Sequence, residues 1–292
     1  MKSNKLKIAL PAGSLKESTF ELLKKAGYKI NVKERSYFPI IDDEEIECML
    51  IRAQEIPKYV EQGKFDVGIT GKDWVEESGN ITQEIGELKY SKQGFNSVKL
   101  VIAVPESSDI KTIQDLEGKT ISTELVNVTR KFLEKNEIKA NVEFSWGATE
   151  SKPPYLADAI AELSDSGSSL RANNLRVIGT VMESTTRIVA NKQSYKNKWK
   201  RQKSDLFVTL LKSALAAEGM VGLKMNAPKE KTREIIECLS ALRKPTISTL
   251  TEKNWCSIEV ILPEMKVKNI ISEIRKLGAE GIVQYPINKI IY

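Results

Sequence analysis

Histidine is absent from this chain. Its absence excludes a Ser-His-Asp triad, a Cys-His pair and any imidazole metal site. Catalysis is left to carboxylates, hydroxyls, backbone amides and Lys or Arg, and any metal must be a hard cation such as Mg²⁺ held by oxygen. Cysteine is scarce: Cys48, Cys238 and Cys256 are odd in number and far apart, which fits neither a disulfide framework nor a zinc module. They read as structural thiols in a reducing cytoplasm. Long apolar runs are missing too. "LVIAV", Leu100 to Val104, falls far short of the roughly 20 residues that cross a bilayer, so no membrane partner is expected. The opening "MKSNKLKIALPAG", interrupted by Pro11 and Gly13, reads as a buried strand ending in a turn and not as a signal peptide. No recognisable nucleic-acid-binding motif and no basic strand interleaved with aromatics is present, so nucleic acid is not an expected partner.

What is present is an ordinary globular composition, 41% hydrophobic and 29% charged, in a chain of 292 residues. That length holds two domains and a small third one. The net charge of +6 points to an anionic partner. The densest basic stretch is "KQSYKNKWKRQK", Lys192 to Lys203, which reads first as a solvated helix face.

Hydrophobic periodicity divides the chain into three blocks. The first holds strand "LKIAL", a helix from Ser14 to Ala26 closed by Gly27, strand "IECMLIR", the short helix "EIPKYVEQG" and the buried strand "FDVGIT". This βαβα order argues a mostly parallel sheet covered by helices. A second block starts near Val98: strands "VKLVIAV" and "KTIST", a helix from Val126 to Lys135, strand "NVEFSW" and a helix around Tyr155 to Ile160. "LRVIGTVMESTTRIVAN" then reads as extended chain returning to the first sheet, followed by a long helix from about Ser194 to Glu218. Two such lobes joined by crossing strands leave a cleft, where ligands of open α/β sheets bind. From about Gly219 the order is strand "GLKMNA", helix Lys229 to Ala241, strands "TISTL" and "CSIEVIL", helix Lys266 to Leu277 and strand "GIVQYPI". That is the ferredoxin-like βαββαβ pattern.

The chemistry concentrates in "ELSDSGSSLRANNL", Glu162 to Leu175. Gly167 among Ser166, Ser168 and Ser169, just before a helix-competent run, offers amides and hydroxyls suited to a phosphate. Glu162 and Asp165 suit the hydroxyls of a sugar, so a ribose phosphate accounts for both halves of the loop. Three other sheet edges add candidates. "LPAGSL" brings Gly13 and Ser14. "GKFDVGITGKDW" ends its strand in Thr70 and Gly71 and sets Asp73 at the carboxyl edge. "STELVNVTRKFL" and "SWGATES" supply Glu124, Thr129, Arg130 and Glu150.

"IPKYVEQGKFDVGITGKDWVEE", "GATESKPPYLADAIAELSDSGSSLRANNL" and "LRKPTISTL" are similar, in order and spacing, to segments of the ATP phosphoribosyltransferase family in its long form with a C-terminal regulatory domain. The resemblance covers essentially the whole chain. It implies an α/β fold with two lobes of periplasmic-binding-protein-like type and a C-terminal ferredoxin-like, ACT-like domain. The domains implied are 1–96 with 185–212 as the first lobe, 97–184 as the second, and 213–292 as the regulatory domain. The activity implied is transfer of the phosphoribosyl group of phosphoribosyl pyrophosphate to N1 of ATP with release of pyrophosphate, the first step of histidine biosynthesis. Ser164, Ser166, Gly167, Ser168, Ser169 and Leu170 would hold phosphoribosyl pyrophosphate, with Glu162 and Asp165 as catalytic residues at the ribose. Gly13, Ser14, Arg52, Thr70, Asp73 and Glu124 would meet ATP. The family's first turn commonly carries a basic residue where this chain has Ala12, and its loop usually begins with Asp where this chain has Glu162; Lys16, Arg52 and Lys72 are the candidate replacement cations. The resemblance further implies Mg²⁺ carried mainly on the substrate pyrophosphate, a cytoplasmic homo-oligomer between dimer and hexamer, and histidine as inhibitor, with Asn226, Ser248 and Leu250 as its contacts. The alternative of a different class is a non-catalytic two-lobe small-molecule binding protein, though neither a signal peptide nor a helix-turn-helix accompanies it.

Overall fold

The computed structural model describes residues 4–90, 97–239 and 245–292. The chain divides into two compact units, Met1–Val208 and Thr209–Tyr292. Among its described residues unit one holds two five-stranded sheets. The first is built from β1 (Leu6–Ala12), β4 (Ile46–Arg52), β5 (Val67–Gly71), β6 (Gln83–Leu88) and β12 (Thr186–Ala190), in the order β4-β1-β5-β12-β6. A two-stranded ribbon of β2 (Ile30–Asn31) and β3 (Ile40–Ile41) lies beside it in sequence. Helices α1 (Lys16–Lys25), α2 (Ile56–Glu61) and α3 (Lys72–Ser78) belong to this lobe. The central strands are buried because they are nearly continuous apolar runs; Leu6, Ile8, Leu10 and Ile69 are fully enclosed.

The second sheet takes β7 (Val98–Pro105), β8 (Thr120–Thr123), β9 (Asn141–Phe144), β10 (Ala159–Ser164) and β11 (Leu175–Ser184), in the order β11-β7-β10-β8-β9. It carries α4 (Val126–Lys135) and α5 (Ser168–Ala172). The chain crosses back at one point after the serine loop: β11 ends in the second sheet at Ser184, and β12 begins in the first at Thr186. The extended segment expected to return to the first sheet therefore serves both sheets in turn. Each sheet is mixed, not mostly parallel. β1 pairs in parallel with β4 and β5, whereas β12 runs antiparallel to β5 and β6. Two α/β lobes joined by crossing chain are as the sequence led us to expect.

Residues 155–160 are not a helix. Tyr155 to Asp158 turn, and Ala159 opens β10, the middle strand of its sheet, paired with β7 on one side and β8 on the other. The alanines of "ADAIAE" favour helix locally, but Ala159, Ile160 and Ala161 are buried and their backbone groups are taken by two neighbouring strands, so tertiary pairing overrides propensity. The long helix expected from Ser194 is two helices, α6 (Lys192–Lys196) and α7 (Lys198–Ala216). Asn191 caps α6 through its side chain, accepting from the amides of Gln193 and Ser194 at 3.0 and 2.9 Å. The basic stretch here is partly neutralised within the fold: Lys200 meets Asp66 at 2.7 Å, and Lys203 meets Asp43 and Glu45, each at 2.7 Å.

Unit two follows the ferredoxin-like order, β13 (Met220–Pro228), α8 (Thr232–Cys238), β14 (Thr246–Thr249), β15 (Trp255–Pro263), α9 (Glu264–Lys276) and β16 (Glu280–Pro286). Its antiparallel sheet runs β14-β15-β13-β16. Residues alternate along β13 and β15, so that Leu223, Met225, Ile258, Val260 and Leu262 turn to the core with Ile235 of α8 and Val267, Ile270 and Ile274 of α9. The expected helix end at Ala241 lies outside the described residues, as does part of the "LRKPTISTL" motif. Among the described residues no helix is long and apolar enough to cross a membrane.

Candidate active site

The carboxyl ends of β1, β4 and β5 face the β10–α5 loop across a cleft of about 470 Å³. Its floor includes Ser184, Thr185 and Thr186, where the chain passes between sheets. A crossing chain at the base of two open sheets leaves their strand ends unpaired by further structure, which is why ligands collect there.

From the second lobe come Glu162, Leu163 and Ser164 at the end of β10, and Asp165 to Leu170 beyond it. Gly167 adopts φ 71°, a left-handed conformation that admits the sharp turn into α5. The expected phosphate cradle is thus a tight turn. Because α5 has only five residues, its dipole is small, and an anion here would rely on local amides and hydroxyls. Ser166 Oγ donates to Ser168 Oγ at 3.0 Å, and Ser169 Oγ donates to Glu150 Oε1 at 2.5 Å. Arg171 Nη1 donates to the Ser166 carbonyl at 3.0 Å and pins the turn.

Glu162 points into this site among other acids. Burial, then the neighbouring charge of Glu150, pushes its carboxyl up to about 7, although the Thr149 hydroxyl and the Leu163 amide partly offset this. The Leu163 amide reaches Oε1 at 3.2 Å. Such a carboxyl is poised between its two protonation states near neutral pH.

From the first lobe come Gly13 and Ser14 after β1, Arg52 at the end of β4, and Asp73 in the first turn of α3. The parallel register sets Arg52 beside Ala12. The guanidinium therefore lies beside the first turn; its Nη1 lies 3.5 Å from where a Cβ on Gly13 would be. Among the described residues that line the cleft, Arg52 is the one Lys or Arg, against the carboxylates of Asp73, Glu124, Glu150, Glu162 and Asp165. Lys16 and Lys72 do not line it: Lys16 pairs with Glu17 at 3.5 Å and lies over the Phe20 ring, and Lys72 pairs with Glu76 at 3.4 Å.

Asp73 is 3% exposed. Burial pushes its carboxyl up to about 6, against a hydrogen bond from Ser184 that pulls it down. Ser184 Oγ donates to Oδ1, while Oδ2 is buried without a partner. Gly71 makes this possible, because a Cβ there would overlap the Asp73 carboxylate. Thr70 is not brought to the cleft; it is fully buried and its hydroxyl donates to the Ala53 carbonyl at 2.7 Å. Thr129 is buried within α4, and Arg130 donates to the Val142 carbonyl at 3.1 Å.

Sequence reasoning missed Ser184, Thr185, Thr186, Trp74 and Tyr90 as lining residues. Nothing local marks them, since their place follows from how two distant strands meet. Among the described residues no group of three or more acidic or cysteine side chains is spaced to hold a metal ion. In unit two, Ser248 stands opposite Ser257, Ser257 opposite Asn226, and Asn226 opposite Glu280, one row across four strands. Ser257 Oγ is buried without a partner in that row. Leu250 follows directly on β14 and is half-buried.

Comparison with known proteins bears on the family of the chain. The family model for ATP phosphoribosyltransferase matches residues 52–213, and that for the HisG C-terminal domain matches 217–289. An ATP phosphoribosyltransferase of Thermodesulfovibrio yellowstonii is 54% identical over all of both chains. That of Chlorobaculum parvum is 54% identical over 99% of this chain and 98% of its own. Among solved structures, an ATP phosphoribosyl transferase (HisG:HisZ) complex from Thermotoga maritima matches at a TM-score of 0.60 and 26% identity, covering 71% of this chain and 96% of that one. The reading as a non-catalytic binding protein is accordingly not favoured. This chain belongs to the ATP phosphoribosyltransferase family, in its long form, whose members transfer the phosphoribosyl group of phosphoribosyl pyrophosphate to N1 of ATP and release pyrophosphate.

Proposed function

We propose that the cleft divides the two substrates between its walls. Phosphoribosyl pyrophosphate lies on the second lobe, its 5-phosphate on Ser164, Ser166, Gly167, Ser168, Ser169 and Leu170 and its ribose against Glu162 and Asp165. ATP lies on the first lobe, against Gly13, Ser14, Arg52 and Asp73, with Glu124 facing it from the other side. The observation that carries this reading is the convergence of a tight serine-glycine turn, a buried carboxyl beside it and an opposed guanidinium in one cleft.

The chemistry asks little of a base. N1 of adenine holds a free lone pair and attacks C1 of the ribose as the bond to pyrophosphate breaks, so no proton need leave before the transfer. The residues hold two polyanions in line and stabilise the positive charge that develops at the sugar. Glu162, as a carboxylate, is the group for that charge. Ser169, now bound to Glu150, turns its hydroxyl to the phosphate when the substrate enters. Asp73, with Oδ2 unpartnered, accepts an N–H of the adenine. Arg52 meets the polyphosphate at the mouth of β1.

Five carboxylates against one guanidinium among the described lining residues suit substrates that enter as Mg²⁺ chelates rather than a metal site owned by the protein. When bound, the ion neutralises the departing pyrophosphate. The C-terminal unit is the place for regulatory histidine, along the row of Ser248, Ser257 and Asn226 beside Leu250, with the signal passed through a cytoplasmic homo-oligomer.

The test is the absorbance change on mixing the protein with ATP, phosphoribosyl pyrophosphate and Mg²⁺, with pyrophosphatase present and each component omitted in turn. Product that needs all three and falls with added histidine supports the assignment. Turnover unaffected by Glu162→Gln, Arg52→Ala and Ser169→Ala would overturn the placement of substrates while leaving the family's activity intact.

A further inference from the structure

Helix α3 belongs to the first lobe, yet three of its side chains address the second. Asp73 and Glu77 are four residues apart and Trp74 and Glu77 three apart, so they share a face. Asp73 bonds Ser184, the last residue of β11. Trp74 packs against the apolar core of the second lobe. Glu77 reaches the start of α4: its Oε1 accepts the Asn127 amide at 3.0 Å and its Oε2 the Val128 amide at 2.9 Å. The Glu77 carbonyl accepts Asn127 Nδ2 at 3.0 Å as well.

These bonds replace something α4 lacks. Its N-cap residue is Leu125, which has no side-chain acceptor, so the first amides of the helix would otherwise face water. A carboxylate at a helix start is an ordinary stabilising arrangement. Here, however, the carboxylate comes from the opposite lobe, 50 residues away in sequence, and the helix it holds begins directly after Glu124 and Leu125. Leu125 is itself tied back through its amide to Thr123 Oγ1 at 3.0 Å. The segment from Thr123 to Val128 is therefore fixed at one end by its own strand and at the other by Glu77. Glu124, in the middle, lines the cleft.

We propose that Glu77 is a positioning residue for phosphoribosyl transfer: by gripping the first turn of α4 from the other lobe, it fixes Glu124 in the cleft. This rests on the reading above that Glu124 faces the nucleotide. A carboxylate that served only to cap α4 would contribute to stability and leave the kinetics alone.

The experiment is a kinetic cycle on the full chain with Glu77→Gln, Glu124→Gln and the double variant, each followed by its melting transition. Glu77→Gln keeps the side chain's length and one acceptor, so it is the variant that preserves the fold. Asn127→Ala, which removes only the Asn127 Nδ2 bond, gives a milder second route to the same loosening. Glu77→Gln is expected to lower kcat/KM for ATP about tenfold, mainly through KM, as for loss of a charge-assisted hydrogen bond. Asn127→Ala shifts the same parameter less. Adding Glu77→Gln to Glu124→Gln costs less than about threefold more, because the first acts through the second. Kinetics at the wild-type level in both Glu77→Gln and Asn127→Ala, or losses that multiply in the double variant, overturn the proposal. Wild-type kinetics in Glu124→Gln alone would instead remove Glu124 from the nucleotide site, a failure of the substrate placement recognisable as such.

Discussion

Asp73 and Ser184 stand 111 positions apart in the chain and are joined twice, by the Ser184 hydroxyl on Asp73 Oδ1 and by the Asp73 amide on Ser184 Oγ at 3.1 Å. One is in the first turn of α3 in the first lobe, and the other is the residue at which the chain leaves the second sheet for the first. The pair ties a cleft-lining acid to the crossing chain.

Asp73 carries a measurable cost. Its folded-state carboxyl is raised from 3.8 to about 6 by burial, so the native protein prefers the neutral acid, and the stability this gives is complete below about pH 4 and lost as pH rises through 6. Asp73→Asn should therefore raise the melting temperature at pH 8, by up to about 2 kcal/mol of stability, and change little near pH 4. The same variant should raise KM for ATP. Melting curves at the two pH values beside initial rates check both.

Glu162 predicts a pH limb in the rate. With its carboxyl pushed up to about 7 and the carboxylate as the working form, kcat/KM for phosphoribosyl pyrophosphate should rise roughly tenfold between pH 6 and 8. Glu162→Gln should flatten that limb and lower kcat about a hundredfold. Since the raised carboxyl also costs stability as pH rises through 7, the variant should melt higher than wild type at pH 8. A limb that survives in Glu162→Gln would assign the titration elsewhere.

Gly167 is tested by one methyl group. At φ 71° an alanine is strained by about 1 kcal/mol, and its Cβ would lie 2.9 Å from Arg171 Nη1. Gly167→Ala should raise KM for phosphoribosyl pyrophosphate severalfold, with a much smaller change for ATP. Equal effects on both substrates would contradict the division of the cleft.

The identity of the working cation can be decided by two substitutions. Arg52→Ala should raise KM for a polyphosphate substrate more than about tenfold, whereas Lys72→Ala, a half-buried partner of Glu76 that does not line the cleft, should change it less than about threefold. Steady-state kinetics with each substrate varied would show which of them Arg52 meets.

For the C-terminal unit, Asn226→Ala and Ser248→Ala should each raise the histidine concentration needed for half-inhibition, read against the same variant's rate without histidine. Inhibition curves superimposable on wild type would move the regulatory site off this row.

Much of this was legible in the sequence because it depends on local pattern. The strand "IECMLIR" and the helix from Val126 to Lys135 lie where apolar spacing put them, since burial of one face dictates that spacing. The βαββαβ order of the C-terminal unit followed in the same way. The turn at Gly167 was visible because few residues other than glycine adopt its backbone angle readily. The serine loop, Gly13, Arg52 and Asp73 were identifiable as strand-end residues, and they do line one cleft.

What the sequence determined, then, is the set of elements, the chemistry without histidine and the strand ends at which ligands could be met, because these follow from periodicity, residue type and turn geometry within a dozen positions. Tertiary structure decided the rest. It made a strand of Ala159 to Ser164 by placing it between two others. It brought Arg52, and neither Lys16 nor Lys72, to the lining of the cleft. It withdrew Thr70 into a bond with Ala53, and it brought Ser184 to Asp73 and Glu77 to the start of α4. Each of these depends on which separate segments pack together, from 17 positions apart for Thr70 and Ala53 to 111 for Asp73 and Ser184, and such burial and pairing leave no mark on the sequence beside either partner.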